Sequence, residues 1–288
     1  MTSPQIKAGN IIDSIGSLYN SLTPSAKRIA NYVTANPKLI SKLSIAELSQ
    51  EVNAGDATII RFCRTLGFNG YQDFKLELAI EMSNVQSQPE SILDTGVTPD
   101  DTAKIIGKKL KSTIDHVLSE TINLLDFDKL EIVTEQIKSS NAIYFFGVGS
   151  SGISAESAKY KYMRIGLNVD AFTDNHGMYI KASLLQRGDI AIGISHSGEA
   201  VETVKTLELA QKSGATTIGI THNPRSSLAQ VSDTILVNGN HQGFLQGDAL
   251  GTKVSQLFVL DLIYTLLVQR DLTGALYLKL KTTEVISN

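Results

Sequence analysis

Two short loops place hydroxyls where an anion could be held. The first, Gly147-Val-Gly-Ser-Ser-Gly152, follows the apolar run Ala142–Phe146 and opens a helical pattern. The second, Ser195-His-Ser-Gly-Glu199, follows Asp189–Ile194 and opens another. Glycines allow the tight turn. Backbone N–H groups at the helix start, with the hydroxyls of Ser150 and Ser151, then face an anion. Ser195 and Ser197 offer the same donors. Either loop alone reads as an ordinary tight turn; two at equivalent strand ends of one sheet point to phosphate. Gly147, Gly149 and Gly152 also satisfy G-x-G-x-x-G, the dinucleotide pattern. That reading needs an acidic residue at a strand end about twenty residues on. Asp170 and Asp174 are the nearest acids, neither convincingly placed, and serines crowd a loop where small apolar residues are preferred.

A second constellation suits a nucleic acid. In Ser44–Gly67, the residues Ile45, Leu48 and Val52 form the apolar face of a short helix, Asn53-Ala54-Gly55 a turn, and Asp56–Leu66 a second helix. Ile59, Cys63 and Leu66 share one stripe of that second helix, and Thr58, Arg61 and Thr65 the opposite face, flanked by Ala57 and Arg64. A groove-reading helix needs this division: small and polar groups toward base edges, arginines for guanine or phosphate. The same pattern also describes a helical hairpin with a solvated polar face. Gly67 is placed to end the helix. Cys63, on the apolar stripe, reads as core.

The elements that must carry these residues divide the chain. Residues 1–82 show helical spacing throughout, as in Ile11, Ile12, Ile15, Leu18 and Leu22. Thr23-Pro24 starts a helix and Asn36-Pro37 ends it. Residues 83–101 are polar with Pro89, Gly96 and Pro99, a linker. Beyond it, helical stretches at about 102–123 and 127–138 lead into short apolar strands at Ala142–Phe146, Asn168–Phe172, Asp189–Ile194, Thr216–Ile220 and Thr234–Val237. Helices fill the gaps, roughly at 152–165, 199–213 and 249–268. Apolar strands separated by helices predict a parallel sheet covered on both faces, with ligands at the carboxyl ends of its strands. The expected architecture is an all-α helix-turn-helix domain (1–82), the linker, an α/β domain over 102–270 and a tail over 271–288.

Composition narrows the class. The 288 residues are 42% hydrophobic and 19% charged, enough to bury a core. Net charge is −3, but residues 23–75 hold seven Lys/Arg against four Asp/Glu, +3 locally against −6 elsewhere. A basic module on an acidic body fits DNA binding. One cysteine excludes an internal disulfide. His116, His176, His196, His222 and His241 are scattered and form no metal-ligand spacing, so no metal or cofactor is expected. The apolar stretch Leu257–Val268 is short and contains Asp261, so no membrane segment is expected either, and a cytoplasmic protein is.

Ala57-Thr-Ile-Ile-Arg-Phe-Cys-Arg-Thr-Leu-Gly-Phe-Asn-Gly-Tyr-Gln-Asp-Phe-Lys75 strongly resembles the N-terminal domain of RpiR-family regulators, as does Leu22–Val33 before it. Residues 102–270 resemble a SIS (sugar isomerase) domain, with Gly147–Gly152 and Ser195–Gly198 matching its two sugar-phosphate loops. Lys161–Gly166, Asp174-Asn-His176 and Lys253–Tyr264 match the RpiR-type version. The resemblance implies a DNA-binding regulator with a double-stranded operator and a phosphorylated sugar as effector, acting as a homodimer or homotetramer. It implies Ala57, Thr58, Arg61, Arg64 and Thr65 for DNA. For the phosphate it implies Gly149, Ser150, Ser151, Ser195, Ser197 and Gly198, with His196 and Glu199 as sugar contacts. Departures are Gly55, where relatives often have Ser, Ala200, where many have Thr, and the 246–252 loop. Lys161 and Arg164 read as a solvated face or subunit contact, and His176 as a loop histidine before a ligand. An aldose–ketose phosphate isomerase with an accessory domain is the alternative. It needs a base near the reacting carbons, for which Glu199, Glu202 and His196 are available. A helix-turn-helix serves no isomerase chemistry.

Overall fold

The structure, a computed structural model, describes residues 11–84, 100–239 and 250–287. The chain forms two compact units, Met1–Ser112 and Thr113–Asn288. The first contains α1 (Ile11–Leu18), α2 (Pro24–Ala35), α3 (Pro37–Ile40), α4 (Ile45–Glu51), α5 (Asp56–Thr65) and α6 (Tyr71–Asn84). The division falls inside α7 (Ala103–Leu124). Local chemistry sets the boundaries. Thr23 accepts from the Ala26 N–H at the start of α2, with Pro24 in its first turn. Ser44 and Glu47 form a reciprocal capping box on α4. The core of this unit gathers Ile11, Ile15, Ile29, Val33, Ile40, Leu48, Ile59, Phe62, Cys63, Leu66 and Phe74. Phe74 meets Phe62 edge-on at 6.2 Å.

The second unit continues with α8 (Phe127–Lys138), β1 (Ala142–Phe146), α9 (Gly149–Met163), β2 (Val169–Phe172), α10 (Asn175–Ser183) and β3 (Asp189–Ile194). Then come α11 (Val201–Lys212), β4 (Thr216–Thr221), α12 (Ser227–Gln230), β5 (Thr234–Val237), α13 (Leu250–Arg270) and α14 (Leu272–Ser287). All strand pairs are parallel, in the order β2-β1-β3-β4-β5. Alternate residues of β1 serve opposite faces. Ile143 and Phe145 join α8, α9 and α13, while Phe146 joins Met178 of α10, Leu207 of α11 and Leu228 of α12. The sheet is therefore covered on both sides, as its apolar strands predict.

Three differences from the sequence reading concern helices. The short α10 and α12 bury little apolar surface of their own and left a weak periodic signal. The stretch read as a tail folds as α14, where Arg164, the C-cap of α9, donates to Thr282 and Thr283. Lys161 is likewise engaged, pairing with Asp261 and lying 4.7 Å from the Tyr264 ring, so these two cations fasten α9 to α13 and α14 rather than being merely solvated. Finally, α13 runs two residues past the expected end at 268, and by length and composition could cross a membrane. Half of its apolar window is buried, with Val259, Leu260 and Ile263 in the sheet core, which accounts for its composition.

Candidate functional site

The turn between α4 and α5 is held from outside. Asn53 adopts a positive φ of 45°, which Asn tolerates. Arg28 of α2 donates to the carbonyls of Val52 and Asn53 at 3.2 and 3.0 Å. Lys75 donates to the Leu43 carbonyl. Arg28 and Lys75, two of the seven cations counted in sequence, thus serve the fold, and Arg64 reaches the Asn69 carbonyl at 3.5 Å. Gly55 caps α5 with no side-chain bond. At the far end Gly67 takes the C′ position, its N–H bonded to Arg64 and that of Phe68 to Cys63, both orphan-carbonyl contacts of a Schellman end.

On α5, Ile59, Cys63 and Leu66 are buried as expected. Burial pushes the Cys63 thiol up to about 12, leaving no thiolate near neutral pH. Ala57, Arg61 and Arg64 are exposed, and Thr58 and Thr65 half-buried. Arg61 reaches the Thr58 hydroxyl at 3.5 Å. Ala57, Ile60, Arg61 and Arg64 line a shallow groove of about 470 Å³. The sequence reading missed Ile60. Its i+3 spacing from Ala57 and i+4 spacing to Arg64 were the available signal.

In the α/β unit the chain leaves β1 toward β2 on one side and returns to β3 on the other, so the strand order reverses between β1 and β3. Such a switch point opens a crevice at the carboxyl ends of the strands. Both hydroxyl loops lie there, on strands that pair directly and sit about 4.8 Å apart. The first loop is tightly wound. A side chain on Gly147 would strike the Ser151 backbone at 2.9 Å, and one on Gly152 the Gly147 carbonyl at 2.9 Å. α9 begins at Gly149 with no side-chain cap, and its first i→i−4 bond runs from Gly152 to Val148. The N–H groups of Gly149, Ser150 and Ser151 therefore precede the intrahelical ladder.

The hydroxyls share one polarity. Ser195 Oγ accepts from the Gly198 N–H and Ser197 Oγ from the Glu199 N–H, both at 3.2 Å. Ser151 Oγ accepts from Gln256 Nε2 at 3.0 Å. Each keeps its proton uncommitted among the described residues, and the enclosed Ser150 Oγ has no described partner. These are four donors poised for an acceptor-rich group.

The second loop is anchored to β4. The His196 carbonyl accepts from the His222 N–H and the Thr221 hydroxyl. The His196 ring stacks on that of His222, and burial, reinforced by His222, pushes its pKa down to about 3. His222 Nδ1 bonds the Asn238 carbonyl, and Asn238 donates to Ser255 of α13. Glu199 accepts from the N–H and hydroxyl of Ser227. Ala200 caps α11 without a side-chain bond. The acids weighed for a dinucleotide are engaged: Asp170 pairs with Lys159, and Asp174 caps α10 through Gly177. His176 lies exposed in the first turn of α10, in a helix rather than a loop. Residues 246–249 of the altered loop, and 85–99 of the linker, lie outside the described residues. No cluster of metal-ligating side chains occurs among the described residues.

Comparison with known proteins matches both halves. Residues 9–85 match the helix-turn-helix domain of the rpiR family, and residues 136–266 the SIS domain. Over 280 residues the chain is 51% identical to an HTH-type transcriptional regulator of Haemophilus influenzae, covering 97% of each. A second HTH-type transcriptional regulator, from Caldanaerobacter subterraneus, is 32% identical over 278 residues, covering 96% of this chain and 97% of its own. Among solved structures, the Vibrio vulnificus NanR protein complexed with ManNAc-6P is 25% identical with a TM-score of 0.60, covering 96% of this chain and 98% of that one. The sugar isomerase domain of an RpiR transcription factor from Sphaerobacter thermophilus shares the fold, at 22% identity and a TM-score of 0.57, over 62% of this chain and 98% of that one.

Proposed function

The chain belongs to the RpiR family of helix-turn-helix transcriptional regulators, and from that premise we propose that its grip on a DNA operator is set by a phosphorylated sugar bound at the β1/β3 switch point. One observation carries the reading. Ser150, Ser151, Ser195 and Ser197 hold hydroxyl protons with no acceptor among the described residues, on two loops at the reversal of strand order. A phosphate, with its several acceptor oxygens, satisfies them together, alongside the N–H groups of Gly149–Ser151 and the turn at Gly198. The ligand named for the Vibrio NanR structure, ManNAc-6P, is of this class. His196, neutral at physiological pH, offers a sugar contact. Glu199 reaches a sugar only by releasing Ser227.

On DNA, α5 enters the major groove, with Ala57, Thr58 and Thr65 toward bases and Arg61 and Arg64 on guanine or phosphate. The functional parts are a DNA-binding domain over 1–82, a linker over 83–101, the sensor over 102–270 and the segment 271–288. The protein works in the cytoplasm as a homodimer or homotetramer, so that paired reading helices meet successive major grooves. The sugar acts by binding DNA-competent and incompetent arrangements with different affinities. It is a sensor without isomerase activity. Of the three groups weighed as a base, the His196 ring, held near 3 by burial, is a weak one at neutral pH and Glu199 is committed to Ser227, which leaves Glu202 in the first turn of α11.

The test is a thermal-shift screen of the full-length protein against hexose, pentose, amino-sugar and muramic acid phosphates, each beside its unphosphorylated sugar. A ligand at about a hundred times its Kd adds roughly 2.7 kcal/mol. A shift confined to phosphorylated compounds is expected, without turnover to the isomeric sugar. No shift with any of them removes the reading, and turnover favours the isomerase.

A further inference from the structure

Ser151 differs from the other hydroxyls of the crevice in what holds it. Ser195 and Ser197 accept from backbone N–H groups of their own loop. Ser151 depends on a side chain 105 residues away: Gln256 of α13. Gln256 is fully buried, and its other end is also committed, Oε1 accepting from Ser154 Oγ at 2.8 Å. Ser154 lies one turn along α9 and is 1% exposed. With the carboxamide oxygen turned to Ser154, its nitrogen faces Ser151. An amide nitrogen only donates, so Ser151 Oγ must accept.

The hydroxyl's single proton is then left over. Three other buried helical hydroxyls give that proton to the carbonyl one turn back. Thr121 gives it to Val117 at 2.7 Å, Thr134 to Leu130 at 2.8 Å and Thr206 to Glu202 at 2.7 Å. Ser154, by contrast, gives its own to Gln256, and Thr203 has no partner among the described residues. Ser151 makes no such bond among the described residues; Gln256 is its one side-chain partner. Its position in the first turn of α9, with the loop wound tightly against it, leaves the crevice for the proton.

We infer that Gln256, aligned by Ser154, is a positioning residue that fixes the Ser151 hydroxyl as a proton donor to the ligand's phosphate. The inference rests on the phosphosugar reading and adds to it the device that sets the polarity of one donor. It also ties the ligand to α13. When Ser151 donates to an anion, its oxygen becomes a better acceptor and the bond from Gln256 tightens. Occupancy of the loop is thereby felt by a buried residue of the helix that packs across the sheet.

The probe is inorganic phosphate, because the relay concerns the phosphate alone. It is titrated into the full-length protein, followed by melting temperature and by phosphorus NMR line width. Ser151→Ala and Gln256→Met are each expected to weaken phosphate binding about tenfold, the scale of one hydrogen bond to a charged group. A residue acting only through Ser151 adds nothing once Ser151 is gone, so the double variant should bind no more weakly than either single one. Ser154→Ala, a smaller change should Gln256→Met fold poorly, is expected to weaken binding a few-fold, an effect that also vanishes in the Ser151→Ala background. Additive losses, or wild-type affinity in both Gln256→Met and Ser154→Ala, overturn the relay while leaving the phosphate site in place. No binding of phosphate by the wild type overturns the site and the relay together.

Discussion

The imidazole of His196 lies stacked on that of His222, with ring centroids 5.2 Å apart and planes inclined by 17°. The His196 ring cannot gain charge cheaply in that position. Burial first, then the neighbouring His222, brings the His196 pKa from the ordinary 6.5 down to about 3. A depressed histidine stabilises the fold fully above pH 6.5, and that contribution is lost as pH falls from there toward 3. At pH 5 the loss is about 2 kcal/mol. The melting temperature should therefore drop between pH 7 and pH 5, and His196→Asn should flatten that drop. An identical slope in the variant would show that His196 charges freely in the folded protein.

Arg61 and Arg64 are exposed on the groove-lined face of α5 and make no ion pair among the described residues. Arg61→Ala with Arg64→Ala should cost about 1–3 kcal/mol per arginine that reads a base, or flatten the salt dependence by about one unit of slope per phosphate contact. Anisotropy titrations at several salt concentrations separate the two roles. The thermal response to a phosphosugar should be unchanged. Equal operator affinity in wild type and double variant would remove α5 from DNA recognition.

Ser195→Ala with Ser197→Ala removes two of the four uncommitted hydroxyl protons. Phosphosugar binding should weaken by roughly a hundredfold, about 1.5 kcal/mol for each bond to a charged group. Operator affinity without ligand should hold. A sugar response that survives in this variant would move the ligand elsewhere.

Gly55 caps α5 with φ −66° and ψ 153°, a conformation any residue adopts, and a side chain there would meet nothing within 4 Å. Gly55→Ser should thus add a cap worth a few tenths of a kcal/mol. Its hydroxyl, at the start of the reading helix, should also raise affinity for DNA of any sequence. Chemical denaturation and binding to a non-operator duplex check the two effects. A less stable variant would mean that the turn requires glycine.

Gly198 is the opposite case. Its φ is +70°, and a side chain would collide with Ser226, the cap of α12, and with Thr221 at the end of β4. Gly198→Ala should cost about 2–4 kcal/mol, from left-handed backbone strain plus displacement of the cap. Melting of the α/β unit should fall by roughly 5–15 °C. A shift within a degree of wild type would show that the loop relaxes around the methyl group.

Features that depend only on neighbours along the chain were legible before any packing was known. Apolar runs between helical stretches set all five strands and the helices Ala103–Leu124 and Phe127–Lys138 to within a residue at each end. The helices read at 152–165, 199–213 and 249–268 end up to three residues away, and α10, α12 and α14 were not read. Thr23-Pro24 and Gly67 fixed helix ends, because caps are made within four residues. The buried stripe Ile59–Cys63–Leu66 and the glycine–serine loops were legible for the same reason. Long-range packing settled the rest. Strand order β2-β1-β3-β4-β5 brought loops 48 residues apart (147 to 195) side by side, and no local pattern encodes which strands pair. Long-range packing gave Arg28 to the turn at Val52–Asn53 and Arg164 to α14, and turned Glu199 onto Ser227. A cation or carboxylate carries no mark in the sequence of the carbonyl or hydroxyl that it will meet. Gln256 is the clearest instance: in an apolar helix it reads as a polar interruption, and only the packing of α13 against α9 sets its amide on Ser151.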